Sequence, residues 1–337
     1  VEHTTDPKSQ HEVVAKDIET ERNIPVDVND LPAIDQLNKN QSNAYEQILN
    51  AIINSSLTSF FVDGPGGTGK TFLYRALLAK IRSAGGIALA TATSGVAASI
   101  LHGGRTTHSR FKVPLHDDDS KVVTLESKLQ LHNAQLIRDA QLIIWNEASM
   151  AKQKSIERFD EMMKDVIGCD ALFGGKTVVF GGDFRQTLPV VTQGYKKDIM
   201  NASLVMSPIW QQLTKLKLRE ICELVPIKIS AIFCFELVMT ELSNHMNEVK
   251  IPTPMNVPFI DEASSVETLV SMVFPDMEAF NNNPSSIVNR AILMTRNDFV
   301  HEINDMLIDK FPGPRKTYLS FDETLDASHQ LENQDFL

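Results

Sequence analysis

Gly64-Pro65-Gly66-Gly67-Thr68-Gly69-Lys70-Thr71 brings together residue types at a spacing that binds phosphate. The run satisfies G-x-x-x-x-G-K-[ST], in which glycines let backbone N–H groups close around phosphate oxygens without a Cβ between them. Lys70 can then reach the outer phosphates and Thr71 can hold Mg²⁺ through its hydroxyl, while the N-terminus of a following helix favours the anion. The flanks fit this reading. Ser59-Phe60-Phe61-Val62 is apolar enough for a buried strand, and Phe72-Leu73-Tyr74-Arg75-Ala76-Leu77-Leu78 has the pattern of a helix. The expected ligand is a nucleoside triphosphate; the plainer alternative, a Gly-rich turn with no ligand, does not explain the flanks.

Three further clusters carry chemistry. Glu147, in Asn146-Glu147-Ala148-Ser149-Met150, follows an apolar run directly and is the candidate general base, because a carboxylate there can polarise an attacking water or hold a metal. A surface-loop glutamate is the bland alternative. Gln186, within Gly181-Gly182-Asp183-Phe184-Arg185-Gln186, is a candidate γ-phosphate sensor, although an ordinary Gly-Asp turn fits those residues equally well. The third cluster is Thr93-Ser94-Gly95-Val96-Ala97-Ala98 with Arg105-Thr106-Thr107-His108-Ser109-Arg110-Phe111. Small hydroxyl residues and free N–H groups at a helix start suit phosphodiester contacts, and Arg105, His108, Arg110 and Phe111 add charge and an aromatic face. Read alone, this cluster fits a solvated loop better, with His108 a structural histidine.

The elements that must position these residues alternate regularly. Helical spacing runs from Gln41 to Asn54, with Ala44, Ile48, Ala51 and Ile52 on one face. Strands are expected at Ser59–Val62, Ile87–Ala92, Gln141–Trp145 and Lys176–Phe180, and helices after the phosphate loop, at Gly95–Leu101, at Leu125–Arg138 and at Ser155–Ile167. Apolar strands separated by helices imply an α/β fold with a parallel sheet covered on both faces, and ligands in such sheets sit at the strands' carboxyl ends.

The totals set bounds. A chain of 337 residues has room for two domains, and 42% hydrophobic with 22% charged residues is ordinary globular composition. No apolar run approaches a membrane span, so no membrane partner is expected. A net charge of -11 excludes a wholesale basic surface but leaves room for a local basic groove. Cys169, Cys222 and Cys234 lack metal-ligand spacing and cannot all pair, which points to a reducing compartment. Residues 1–36 are polar and mixed in charge and read as a disordered leader, and Val1 suggests a fragment of a longer chain.

Taken together, Leu37-Asn38-Lys39-Asn40-Gln41, the phosphate loop, Ala92–Ala98, Gly104–Ser109, Glu147–Met150 and Gly182–Gln186 resemble the Pif-one-type 5′-to-3′ DNA helicases, especially the eukaryotic branch found in Helitron rolling-circle transposons. The likeness covers about Leu37–Leu218 and resumes from about Ile251. It implies a RecA-like ATP-binding domain over 37–220 and a partial second RecA-like domain over 221–337. It further implies ATP and Mg²⁺ as cofactors, single-stranded or forked DNA as partner, and a nuclear location. Gln41 would contact adenine and Gly64 through Thr71 would hold ATP. Thr71 and Glu147, with Asn146 beside them, would serve the metal. Glu147 would activate water and Gln186 would couple the γ-phosphate to DNA movement. Thr93, Ser94 and Gly95, with Thr107, His108 and Ser109, would line the DNA path.

The departures from the family pattern bear on turnover. Asn146 stands where family members carry aspartate, and an amide keeps the shape but loses the charge that a hard cation prefers. After Glu220 the family continues Asn-Met-Arg-Ala, whose arginine reaches the γ-phosphate, whereas this chain reads Ile221-Cys222-Glu223-Leu224. One deleted nucleotide converts the first reading into the second, so residues ~221–245 are expected to be out-of-frame sequence, from a frameshift or a mis-assigned splice. The chain also ends at Leu337, before the late arginine motif of the second domain, so an incomplete copy with impaired hydrolysis is expected.

Overall fold

The computed structural model describes residues 18–28, 30–111, 131–192, 194–220, 256–277, 283, 290–294, 297–314 and 316–317. Two units divide the chain, Val1–Val249 and Lys250–Leu337. The first is built on six strands: β1 (Phe60–Asp63), β2 (Ile87–Ala92), β3 (Arg105–Thr106), β4 (Ala140–Asn146), β5 (Thr177–Gly182) and β6 (Thr214–Lys217). Their order is β3-β2-β4-β5-β1-β6 and every pairing is parallel. This is the expected α/β architecture of RecA type.

Side chains alternate across the strands, so the four central strands β1, β2, β4 and β5 feed two cores. Phe61, Leu89, Ile143, Trp145, Val178 and Phe180 face one cluster, packed with Ile156, Phe159 and Met163 of a helix at Gln153–Ile167. Phe60, Val62, Ala88, Ala90, Ile144 and Val179 face the other, packed with α1 (Lys39–Ile53) and α2 (Lys70–Ser83). Burying each Leu, Ile or Phe contributes about 1.5–3 kcal/mol relative to exposure, so the two cores hold the sheet rigid.

The register sets up the site. Asp63 pairs with Gly182 across β1 and β5, and Ala92 pairs with Asn146 across β2 and β4. The chain therefore leaves these strands at one edge of the sheet, where the segments after Asp63, Ala92, Asn146 and Gly182 emerge together.

Two strands escaped the sequence reading. β3 has only two residues, too few for a periodic signal, and β6 is an edge strand that buries Leu216 but exposes Lys215 and Lys217. Of the expected helix at Leu125–Arg138, residues 125–130 lie outside the described residues, and the helix is described over Leu131–Asp139. The expected leader needs a larger correction. Residues 1–17 and 29 lie outside the described residues, but 18–28 and 30–36 are built into the first unit, with Ala33 buried and Glu21 buried against Arg110. Its charges look like those of a solvated tail until their partners are seen, and Arg110 lies 89 positions away.

Residues 221–255, including the stretch expected to be out of frame, lie outside the described residues. In the second unit the described residues form helices at Glu262–Val273, capped by Asp261, and at Asn297–Lys310. No helix among the described residues is long and apolar enough to cross a membrane.

Candidate functional site

The loop from Gly64 to Gly69 joins β1 to α2, and its shape depends on backbone angles that side chains resist. Gly67 and Gly69 have φ of 84° and 74°, in the left-handed region where a Cβ is strained. Gly69 is the N-cap of α2, and Lys70 and Thr71 form its first turn. Lys70 Nζ folds back to donate to the Gly64 carbonyl at 2.5 Å. Thr68 Oγ1 donates to the Pro65 carbonyl at 2.7 Å, and Gln41 Nε2 donates to the Thr68 carbonyl at 3.0 Å. Gln41 is also the third helical residue of α1, where its Oε1 accepts from the Asn38 backbone at 2.9 Å in a capping box. The structure thus places Gln41 as a brace under the phosphate loop, with both ends of its amide engaged by backbone.

Carboxylates gather round the lysine. Burial lowers the Lys70 pKa, and Glu147, Asp183 and Asp63 oppose that, in decreasing order. Asp183, fully buried, accepts from Gln186 Nε2 at 3.0 Å and from Arg185 Nε at 2.6 Å; Arg185 also reaches Asp63 at 3.3 Å. A Cβ on Gly66 would lie 3.6 Å from Gln186 Nε2, so the Gln186 amide stands over the loop. Lys70, Glu147 and Gln186 are therefore brought to one place. Asp63, Asp183 and Arg185 were not singled out from sequence, although each carboxylate ends an apolar strand or follows it directly, the same signal that marked Glu147. Thr71, Glu147, Asp63 and Asp183 carry oxygen atoms of the kind that a hard divalent cation prefers, and Asn146, buried at the end of β4, carries a neutral amide.

Glu147 itself is held in an unusual backbone. Its φ of 54° is left-handed, at a cost of order 1 kcal/mol for a residue with a side chain. Its carbonyl accepts from Thr93 Oγ1 at 2.7 Å and from the Met150 backbone at 3.1 Å, which fixes the turn. The turn then packs on β5 so closely that a Cβ on Gly182 would meet Ser149 Oγ at 2.6 Å, which explains the glycine there.

Beside this pocket lies a cleft of about 300 Å³. Thr93, Ser94, Thr107 and His108 line it, together with Trp145 near the end of β4, Met150, Lys152 and Ser155 from the chain after β4, and Leu188 and Val190 from the chain after β5. Thr107 Oγ1 donates to the Ala92 carbonyl at 2.9 Å, tying this wall to the end of β2. Thr93 Oγ1 also accepts from Trp145 Nε1 at 3.0 Å, so one hydroxyl joins the cleft to the Glu147 turn. Gly95 opens the short helix Gly95–Ser99, capped by Ser94 Oγ, and faces open space rather than the cleft lining. Ser109, exposed in the short helix Thr107–Phe111, is likewise not in the lining. Arg110 and Phe111 require a correction: Arg110 is 5% exposed and paired to Glu21, and Phe111 is buried 4.8 Å from the Phe159 ring. The cation of the cleft is Lys152, which sequence spacing alone did not single out, while Trp145, 2% exposed, packs in the core and turns only its Nε1–H toward Thr93.

The family model for PIF1-like helicases matches residues 36–236. This chain belongs to the PIF1-like helicase family. It is 34% identical over 142 residues to the ATP-dependent DNA helicase PIF1 of Trypanosoma brucei brucei, covering 42% of this chain and 14% of that protein. It is 25% identical over 260 residues to the ATP-dependent DNA helicase Pif1 of a Psychrobacter species, covering 77% and 36%. The chain thus spans well under half the length of these PIF1 relatives. Among solved structures it superposes on a Bacteroides Pif1 helicase in complex with ADP-AlF3 and ssDNA with a TM-score of 0.56, at 20% identity, covering 80% of this chain and 57% of that one. A Pif1 structure describing DNA unwinding at forked dsDNA gives a TM-score of 0.55 at 20% identity, covering 81% and 58%. These PIF1 structures share the fold.

Proposed function

We propose that this chain is the nucleotide-binding part of an ATP-dependent DNA helicase that hydrolyses ATP with Mg²⁺ and moves 5′ to 3′ on single-stranded DNA. The observation that carries this reading is the Thr93 hydroxyl, which joins the wall of the cleft to the backbone of Glu147. A phosphate loop alone would suit any nucleotide-driven enzyme; a hydroxyl-lined cleft that shares a hydrogen bond with the backbone of the candidate base suits one that couples two ligands. Lys70 and the loop amides hold the outer phosphates. Thr71, Glu147, Asp183 and Asp63 are the donors that would hold Mg²⁺, which would neutralise charge on the transferred phosphoryl group. Glu147 takes the proton of the attacking water, and Gln186, anchored on Asp183, senses the γ-phosphate. Thr93, Ser94, Thr107 and His108 grip a single strand or the strand side of a fork. That the substrate is DNA rests on the family and on what its named relatives act on. The sequence resemblance alone supports the polarity, a nuclear location, and work in DNA repair, recombination, telomere maintenance or transposon replication.

Asn146 favours a second reading, in which the chain is the remnant of a Helitron-type transposon helicase, binding ATP and DNA without turnover. Steady-state ATPase with and without single-stranded DNA separates the two. DNA-stimulated turnover supports the helicase, and binding of both ligands without turnover supports the remnant. Phosphoryl transfer to a small molecule, indifferent to DNA, would defeat both.

A further inference from the structure

Residues 18–28 and Asp30 are not among those that line the cleft, yet they carry some of the best-buried charge among the described residues. Glu21 accepts from Arg110 Nη1 at 2.6 Å, with side chains 5% and 4% exposed. Arg110 directly follows Ser109 and donates its other terminal nitrogen to the Gly103 carbonyl at 3.0 Å. Arg82, on α2, donates to the His102 carbonyl at 2.7 Å and to the Ala88 carbonyl at 2.9 Å. Burial lowers the pKa of both guanidiniums, and the Glu21 carboxylate opposes it in both. Ile24 fills the space beside Gly103, where an added Cβ would meet Ile24 Cδ1 at 2.4 Å. Further along, Asp27 and Asp30 pair with Arg75 of α2 at 3.2 and 2.8 Å. The segment is a strap, anchored on the helix that begins with Lys70 and closed over the residues that lead into Thr107 and His108.

We propose that Glu21 is a positioning residue for the strand cleft: through Arg110 it holds the 103–111 segment in the place where Thr107 and His108 form a wall of that cleft. The proposal rests on the reading of the cleft as a DNA path and deepens it. Without the carboxylate, two buried guanidiniums lose their counter-charge. Arg110 can then recover hydration only by swinging outward, and the short helix that carries Thr107 and His108 must follow.

The experiment compares the 337-residue wild-type chain with Glu21→Gln, which keeps side-chain volume and removes charge. A fluorescent oligo-dT reports strand affinity, amide hydrogen exchange over 103–111 reports placement, and fluorescent ATP-analogue binding controls for the fold. Glu21→Gln is expected to weaken oligo-dT binding about 5- to 20-fold and to speed exchange in 103–111, with the analogue still bound. Wild-type affinity with unchanged exchange would overturn the proposal. Should Glu21→Gln fail to fold, Asp27→Asn loosens the half-exposed anchor of the strap instead. A two- to threefold loss of oligo-dT affinity with faster exchange supports the proposal, and no change in either overturns it. A wild-type chain that binds no oligonucleotide defeats the DNA reading of the cleft, and the exchange of 103–111 then decides separately whether the strap holds the segment.

Discussion

Around Lys70 the ligand-facing atoms of the phosphate loop come from one unbroken run, Gly64 to Thr71, whereas the cleft beside it draws on the chain after β2, after β3, after β4 and after β5. The loop's chemistry is mostly backbone: amide groups made available by left-handed glycines, with a single charge at Lys70. The cleft's chemistry is mostly side chain: the hydroxyls of Thr93 and Thr107, the imidazole of His108, the ammonium of Lys152, and the apolar wall of Leu188 and Val190. A backbone site is specified by a local sequence and tolerates distance from the rest of the chain. A side-chain site depends on every element that carries a wall. The two regions therefore should fail differently when residues are changed, and Thr93, which touches both, should fail in both ways.

The largest effect is expected from Lys70→Ala. Removing the charge nearest the outer phosphates should weaken nucleotide binding by at least ~100-fold, about 2.7 kcal/mol, in a fluorescent-nucleotide titration. Oligo-dT affinity should stay within about threefold by the same reasoning, since the cleft is separate; parallel loss of both would break the distinction. Glu147→Gln should leave nucleotide affinity near wild type and lower DNA-stimulated phosphate release by on the order of 10²- to 10⁴-fold, the range for a lost general base. Retained turnover would move the base to Asp183 or Asp63.

Thr93→Val removes the hydroxyl that bonds Trp145 and Glu147 while keeping the shape. It should cost roughly tenfold in oligo-dT affinity and a comparable factor in turnover, given about 1 kcal/mol or more for each buried hydrogen bond lost. An effect on only one of the two would show that the shared hydroxyl is merely structural. Lys152→Ala should weaken oligo-dT binding about two- to fivefold and lower the slope of log affinity against log salt by roughly one, with nucleotide binding untouched. An unchanged salt slope would place the strand elsewhere. A change of the same modest size is expected from Asn146→Asp, which should raise Mg²⁺-dependent turnover about two- to fivefold by supplying a carboxylate for a hard cation. Metal titration of the ATPase reads it directly.

Reading the residues in order revealed the phosphate loop, the four buried strands and the parallel α/β architecture, because glycine spacing and apolar runs are local signals. The row of strand ends that carries Asn146 and Glu147 was visible for the same reason. It did not reveal β3 or β6, since two residues have no period and an edge strand that exposes Lys215 and Lys217 does not look like a buried one. Nor did it separate Arg110 and Phe111 from the cleft. A guanidinium next to candidate strand contacts looks like a DNA ligand until its carboxylate is found, and that carboxylate is Glu21 in a segment that composition had marked as loose.

What the sequence determined by itself is a phosphate loop on a parallel α/β sheet: left-handed backbone, helix start and apolar strand all reside within a few consecutive positions. Only the tertiary structure decided which carboxylates surround Lys70, which hydroxyls and rings make the cleft, and which charges are spent on holding the molecule together. Ion pairing and desolvation depend on neighbours in space, and the neighbours that settle Arg110, Asp183 and Thr93 lie on other elements of the chain.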